Sequence, residues 1–176
     1  MFVLGIDPGL SRCGYGGVRA GSPADGHSTG GVAYSRAELA GVLTTSPSAP
    51  VHERLACLAA DLRSLIAECQ PDAVAVERVF FQTNVRTAIS VAQASGVALA
   101  TAAGAGCQVA QYTPNEVKQA VAGYGAATKE QVQRMVATQL CLTERPRPAD
   151  AADALALALC HLTVAPRLER WAGAGR

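Results

Sequence analysis

One stretch near the N-terminus, Phe2-Val-Leu-Gly-Ile-Asp-Pro-Gly-Leu10, decides the fold of this chain. Its first half is a nearly continuous apolar run, which is typical of a central strand covered on both faces. The strand ends in a carboxylate, Asp7, and Pro8-Gly9 predicts a sharp turn directly after it. On this stretch alone the simpler interpretation of Asp7 is a turn-capping residue, because Asp-Pro-Gly is a common turn. The positions of the other acids decide between a turn residue and a functional one.

The composition indicates one folded domain. With 176 residues, of which 49% are hydrophobic, the chain can bury a substantial core and is not expected to be disordered. Its formal net charge is only +1, so any surface for nucleic acid must be a local patch. Of its 15 basic residues only Lys118 and Lys129 are lysines. The six cysteines include no C-x-x-C pair, which argues against a zinc site and favours small core residues in a reducing compartment.

The sequence predicts a cytoplasmic protein without a membrane segment. No secretory signal precedes Asp7. From Thr87 to Asn115 there is no charged residue, a pattern that also occurs in membrane spans. This stretch consists mainly of small and uncharged polar residues and is broken at Gly104 and Gly106. We therefore predict a helix buried against close neighbours.

Local patterns divide the chain into alternating strands and helices. The helix from Val51 has the clearest amphipathic period, and two later helices begin at capping boxes, Thr113–Glu116 and Thr128–Gln131. Residues 20–31 predict a flexible hairpin connection, and the strand after them is expected to be interrupted near Ala37. The predicted strands cover 2–7, 14–20, 32–45, 72–77 and 107–112, and the predicted helices cover 51–69, 84–103, 114–123, 129–140 and 149–164.

This order of elements predicts an α/β fold with one mixed five-stranded sheet, an antiparallel meander plus parallel strands, flanked by helices on both faces. A strand–helix–strand unit requires a parallel pair with a right-handed crossover. The strands that end in Asp7 and Glu77 can then lie side by side, with both acids at the carboxyl edge where open α/β sheets place their sites. We expect residues 1–165 to form this domain and residues 166–176 to be a mobile tail.

A second pair of acids opens the last predicted helix. Asp150 and Asp153 are three residues apart, so they share one helix face. The structural interpretation is that both interact with the helix dipole in the first turn. The functional interpretation is that they join Asp7 and Glu77 in one site. Such carboxylates repel each other unless a divalent cation intervenes, and hard oxygen ligands select Mg²⁺ or Mn²⁺.

An ordered set of motifs resembles the RuvC family of Holliday junction resolvases, in the RNase H-like superfamily. A single such motif is weak, but the ordered set is highly specific and covers most of the chain. The segments at 20–31 and from Pro166 onward carry no match. The motifs are Gly5-Ile-Asp-Pro-Gly9 with Gly14-Tyr-Gly16, Ala75-Val-Glu-Arg-Val-Phe80, Gln93-Ala-x-Gly96, Val117-Lys-Gln119, Gly123-x-Gly-x-Ala-x-Lys-x-Gln-Val-Gln133 and Ala149-Asp-Ala-Ala-Asp-Ala-Leu-Ala156.

The resemblance implies a magnesium-dependent endonuclease of RNase H-like fold that acts as a homodimer on four-way DNA junctions in recombination and repair. Asp7, Glu77, Asp150 and Asp153 would be its catalytic carboxylates and would hold two Mg²⁺ ions, which Mn²⁺ can replace. Asp7 would bridge the ions, with Glu77 at one and the Asp150/Asp153 pair at the other. Some family members have His at the position of Asp150. The products would be a 5′-phosphate and a 3′-hydroxyl, and the family works with a branch-migration motor, RuvA and RuvB.

The resemblance also implies residues that contact DNA. Phe80 would stack on a base opened at the crossover, although core packing is the alternative for Phe80 and for Phe81. Lys118 and Lys129 match family lysines near the DNA, the alternative being ordinary solvated lysines. Lys129 would lie in the first turn of a helix, where a cation is disfavoured. Gly123 and Gly125 would let their loop pass close to a DNA backbone.

The remaining expectations are a homodimer and two alternative functions. A homodimer suits a substrate with two equivalent strands, and the uncharged face of Ala88, Ala92, Gly96 and Ala100 is the predicted contact. The first alternative function is an ATPase of the actin or sugar-kinase type, which usually needs two such domains. The second is a non-catalytic junction-binding module, which would not need all of the acids.

Overall fold

The N-terminal half of the sheet is the predicted antiparallel meander. The computed structural model describes residues 1–21, 35–79 and 85–173, including their side chains except at 85–87 and 166–173. Strand β1 (Phe2–Asp7) pairs antiparallel with β2 (Arg12–Ala20), which pairs antiparallel with β3 (Ser35–Thr44). Most of the predicted hairpin connection at 20–31 lies outside the described residues.

The interruption expected near Ala37 is wrong as a break in the strand. Strand β3 is continuous, and its register against β2 shifts so that Ala37 and Leu39 face consecutive residues of β2. The residue between them, Glu38, is the extra residue of a β-bulge. Its carboxylate accepts hydrogen bonds from Arg19 at 2.6 and 3.0 Å, which hold the bulged strand to its neighbour.

The second half of the sheet is parallel, as the strand–helix–strand order predicts. Helix α1 (Val51–Cys69) leads to β4 (Ala73–Glu77), which pairs parallel with β1. Helix α2 (Val85–Gly104) leads to β5 (Gln108–Tyr112), which pairs parallel with β4. The strand order β3-β2-β1-β4-β5 confirms the mixed five-stranded sheet.

Three helices follow the sheet: α3 (Pro114–Ala122), α4 (Lys129–Gln139) and α5 (Ala149–Gly173). Both predicted capping boxes are present, at Thr113 and Thr128. Helix α5 continues past the predicted end near residue 164 to Gly173. Whether segment 166–176 moves relative to the domain stays a prediction.

The alternation of β1 directs its side chains to two different cores. Leu4 and Ile6 face a cluster formed with α1 and α2. Val3 belongs to the cluster on the other face, which is formed with α3, α4 and α5. Because side chains two apart share a strand face, Gly5 and Asp7 point toward the same side as Val3. The terminal acid of β1 is therefore directed toward α5.

Glycines on this face bring the α5 backbone against the sheet. Gly5 and Gly16 are cross-strand partners, and Gly14 is the partner of Asp7. A Cβ at Gly5 would collide with the carbonyl oxygen of Ala154, and one at Gly14 with the backbone of Asp150. Only glycine permits so close an approach. The first turn of α5 is thereby held beside the carboxyl end of β1.

The expected burial of α2 needs correction. Helix α2 buries only one face, on which Ala94, Ala98 and Ala102 are fully covered, while Ile89 on the other face is 51% exposed.

No helix in the described part of the chain is long and apolar enough to cross a membrane.

Among the cysteines, Cys13 and Cys160 are core residues as predicted. Cys57 and Cys141 are exposed, so the same expectation is wrong for them. Cys57 lies on the outer face of α1, where its thiol donates to Asp61 at 3.7 Å.

Candidate active site

The register of the parallel pair brings Asp7 and Glu77 together. Ile6 is opposite Val76, so the two acids come next at the same edge of the sheet. Glu77 is two residues beyond Ala75 and faces the same side as Asp7. The two carboxyl groups interact directly, and Asp7 partly opposes the rise in the pKa of Glu77.

Burial is the main cause of the unusual acidity at this position. It raises the pKa of Asp7 from 3.8 to about 7, and the negative charges of Glu77, Asp153 and Asp150 add to the effect. The pKa of Glu77 is also raised, first by burial and then by Asp153. The nearby Lys129 ammonium opposes both shifts. Without a further cation, Asp7 therefore loses its proton only near neutral pH.

Asp153 is held by Lys129. The lysine Nζ donates to Asp153 Oδ2 at 2.6 Å, and this hydrogen bond raises the pKa of Lys129. Lys129 follows the N-cap Thr128, so the capping box that starts α4 also fixes the backbone position of Lys129. The partner compensates for the unfavourable position of a cation in a first helical turn.

Asp150 is held by Arg12, a residue that the sequence reasoning missed. Arg12 Nε and Nη2 donate to Asp150 Oδ2 at 3.0 and 2.7 Å. The available signal was strand alternation, because Arg12 precedes Gly14 by two residues and so shares its face toward α5. The two acids of the first α5 turn thus bind different cations on different sides.

A cleft of about 290 Å³ contains the acids of both strands. Asp7 and Glu77 lie in it together with Asp153, and both predicted lysines, Lys118 and Lys129, line it. Asp150 is not part of its lining. The remaining walls are Pro114, Val117, Val132, Ala156 and Leu157. The cleft therefore combines carboxylates, two ammonium groups and apolar walls.

The donor set fits a hard divalent cation by its chemistry. All candidate ligands are carboxylate oxygens, and a divalent counter-charge would favour the ionised form of the buried Asp7, whose pKa is raised to about 7. As they stand, no three acid, histidine or cysteine side chains in the described ranges are grouped closely enough to hold an ion. In this state Lys129 and Arg12 supply the positive charge to Asp153 and Asp150.

Of the other predicted DNA-contacting residues, the structure describes Gly123 and Gly125 but not Phe80. Phe80 and Phe81 lie outside the described residues. Gly123 is the left-handed C-cap of α3 with φ +84°, which accounts for glycine there without reference to DNA. Gln119 Nε2 donates to the backbone carbonyl oxygen of Gly123 at 2.7 Å. Gly125 lies in the following loop, near the backbone of Asn115.

Comparisons with known proteins agree on one family. The family model described as "Crossover junction endodeoxyribonuclease RuvC" matches residues 3–161. A protein of that name from Salinispora arenicola is 54% identical over 162 residues, which cover 92% of this chain and 87% of the relative. The solved structure of Thermus thermophilus RuvC superimposes with a TM-score of 0.84 at 40% identity, covering 95% and 96% of the two chains. The same protein in complex with a Holliday junction substrate gives a TM-score of 0.83 at 40% identity, over 94% of each chain.

Proposed function

We propose, since this chain belongs to the RuvC family of crossover junction endodeoxyribonucleases, that Asp7, Glu77, Asp150 and Asp153 are the catalytic carboxylates with which it cuts Holliday junctions. The chain is a hydrolytic nuclease by family. A junction-binding module without activity would not need the full set of acids, and the nuclease family of the chain argues against the ATPase alternative. The observation that carries the assignment is the Asp7–Glu77 pair at the edge of β1 and β4, in one cleft with Asp153.

The ligands of the proposed metal site follow from this arrangement. Asp7, which lies among the other acids, would bridge two Mg²⁺ ions, with Glu77 at one ion and Asp150 and Asp153 at the other. Mn²⁺ would replace Mg²⁺ because both prefer oxygen ligands. When bound, the ions supply an activated water and stabilise the leaving 3′ oxygen. Asp7 must lose its proton to take this role, and its raised pKa places that loss near neutral pH.

The cations and the aromatic residue of the site would position the DNA. Lys118 and Lys129 line the cleft and would contact the phosphates on either side of the scissile bond. The loop with Gly123 and Gly125 would pass near the DNA backbone. Phe80 would stack on a base at the opened crossover.

A gel assay tests the function directly. A labelled four-way junction and a linear duplex of the same sequence are each incubated with the protein, in Mg²⁺ or in chelator. We expect paired nicks in the junction alone, only with Mg²⁺, and with ends that a ligase reseals. Asp7→Asn should bind the junction and fail to cut it, since it removes a metal ligand and no DNA-binding cation. Near-normal cutting by this variant would refute the assignment of the acids.

The chain would act as a homodimer, since each junction has two strands to cut. On the predicted face of α2, Gly96 and Ala100 are exposed, and Ala88 and Ala92 are half-buried. A groove of about 820 Å³ between α1 and α2 continues this face to Gly104. A second copy would cover this exposed surface, in which the α2 residues 88–104 carry no charge and Arg63 of α1 lines the groove. A fully active monomer at micromolar concentration in sedimentation would contradict this.

Two further expectations rest on family resemblance alone. The branch-migration motor RuvA–RuvB would be the protein partner, and the cytoplasm would be the location. Faster cutting of junctions that carry the motor proteins, compared with naked junctions, is the expected sign of the partnership.

A further inference from the structure

Arg12 lies beside Asp150, and Arg54 reaches the residue before Arg12, on a side of the site where no DNA contact has been assigned. Arg12 is the first residue of β2 and faces α5, as Gly14 does. Among the residues that the structure describes, it donates only to Asp150 Oδ2, through Nε and Nη2. Of the five guanidinium N–H donors, three remain for another acceptor. The Arg12 side chain is 51% exposed, so an acceptor arriving from solvent can reach these donors.

Arg54 reaches the same turn from the opposite face of the sheet. It lies in the first turn of α1 and donates to Thr45 Oγ1 at 2.9 Å and to Ser11 Oγ at 2.6 Å. Thr45 itself donates to the Leu10 carbonyl from Oγ1 at 2.5 Å and to the Ser11 carbonyl from its backbone N–H at 3.3 Å. These bonds fix the segment that leads into Arg12. The backbone at Arg12 is therefore held in place before any ligand arrives.

The charge of Arg54 is not neutralised by an acid in the part of the chain that the structure describes. Both of its side-chain partners are hydroxyl groups. The acid next to it on α1, Glu53, lies 4.0 Å from His52. A half-buried guanidinium that is held by neutral hydroxyls has no opposite charge beside it among the described residues, which favours a phosphate as its next partner.

The strand order separates these arginines from the lysines of the cleft. Strand β2 lies on one side of β1, and β4 and β5 lie on the other. Arg12 begins β2, and Arg54 contacts the end of β3. Lys118 and Lys129 belong to α3 and α4, which follow β5. Asp7, at the end of β1, shares its cleft with both lysines, whereas Arg12 binds Asp150, which is not part of the lining of that cleft.

We propose that Arg12 and Arg54 form a second phosphate-binding patch for the junction strand, and that Arg12 passes from Asp150 to a DNA phosphate when a metal ion takes Asp150. This rests on the proposed function, in which Asp150 is a metal ligand. A divalent cation competes with the guanidinium for the same carboxylate oxygen. The displaced guanidinium then pairs with a phosphate, for which its planar fork is well suited.

The first test measures junction binding as a function of salt at a fixed, saturating concentration of Ca²⁺, an oxygen-binding ion that takes Asp150 and so frees Arg12 for the DNA. Arg12→Gln and Arg54→Gln should each reduce the slope of log K against log salt by about 0.9, the value for one lost phosphate contact. Arg36→Gln is the matched control, because Arg36 is 80% exposed and pairs with Glu38 near the opposite end of the sheet. Its slope should equal that of the wild type. Arg54→Lys keeps the charge and should restore the slope, which separates a lost contact from a disturbed turn.

The second test titrates the DNA-free protein with Mn²⁺ in a calorimeter. Arg12→Gln should bind Mn²⁺ about two- to fivefold more tightly, as expected when a competing partner of an exposed ion pair is removed. Arg36→Gln should bind it like the wild type. Opposite effects of one substitution, weaker junction binding and tighter metal binding, are the signature of the exchange.

The outcomes separate this inference from the proposed function. Wild-type salt slopes in both glutamine variants, or wild-type Mn²⁺ affinity in Arg12→Gln, would overturn the arginine patch with its exchange. If Asp7→Asn is inactive in the same preparations, the assignment of the acids still stands. Normal cutting by Asp7→Asn would instead refute the assignment of the acids itself.

Discussion

Replacing Asp7 with asparagine should stabilise the metal-free protein at alkaline pH while it abolishes cutting. The pKa of Asp7 is raised from 3.8 to about 7, mainly by burial. The folded state therefore binds more protons than the unfolded state between these values, and the free energy of unfolding falls as pH rises through them. Below about pH 4 the acid is protonated in both states and the loss is absent. Asparagine carries no charge at any pH and avoids the loss.

The magnitude follows from the shift. Each pKa unit corresponds to about 1.36 kcal/mol, so the full loss above pH 8 is at most about 4 kcal/mol. Allowing for side-chain relaxation, we expect Asp7→Asn to gain about 2 kcal/mol at pH 8 in chelator. For a chain of this size that raises the Tm by about 4–8 °C. Urea unfolding followed by circular dichroism at pH 5 and pH 8 measures both values. Saturating Mg²⁺ should stabilise the wild type at pH 8 and the variant much less.

Glu68→Gln is the control for removing an acid. Glu68 is exposed near the end of α1, which leads to the start of β4, whereas Asp7 lies at the carboxyl edge of the sheet. This variant should keep the pH dependence of the wild type. If Asp7→Asn is less stable than the wild type at pH 8, or if wild-type stability does not fall between pH 5 and pH 8, the reasoning about the buried acid is wrong.

Three further predictions concern the cations, the aromatic residue and the close helix approach. Lys118→Arg and Lys129→Arg should keep most junction affinity but lower the single-turnover cleavage rate by about tenfold, equivalent to about 1.4 kcal/mol, because a compact ammonium fits beside the scissile phosphate; wild-type rates would show that charge alone matters. Phe80→Ala should impair cutting of an intact crossover more than of a pre-opened one, because stacking of about 1–3 kcal/mol per base is lost. Equal losses of cutting on the two substrates would indicate that Phe80 packs in the core instead. Gly5→Ala should lower the free energy of unfolding by about 1–3 kcal/mol, because the added Cβ meets the Ala154 carbonyl. Gly104→Ala is the control and should not lower it, because a Cβ there meets no other atom within 4 Å. Similar melting temperatures of the two variants would contradict this account of the packing.

The sequence alone was sufficient for the elements and their order. Strand alternation, helical periodicity and two capping boxes depend on neighbours a few residues apart, so they are readable locally. The crossover rule then placed the strand of Glu77 beside that of Asp7, because a strand–helix–strand unit has one favoured hand. These two acids were therefore predictable as neighbours before their environment was known.

Only the tertiary structure decided which cation serves each acid. Asp150 and Asp153 are alike in sequence, yet one binds Arg12 at 2.7 Å and the other binds Lys129 at 2.6 Å. These pairings join residues 138 and 24 positions apart, and no local pattern encodes them. They depend on how closely α5 approaches the sheet. A Cβ at Gly5 would collide with the Ala154 carbonyl oxygen, and this close contact is known only when the positions of both backbones are known. The chain encodes its elements through short-range periodicity, whereas the environment of each acid arises from packing between elements distant in sequence.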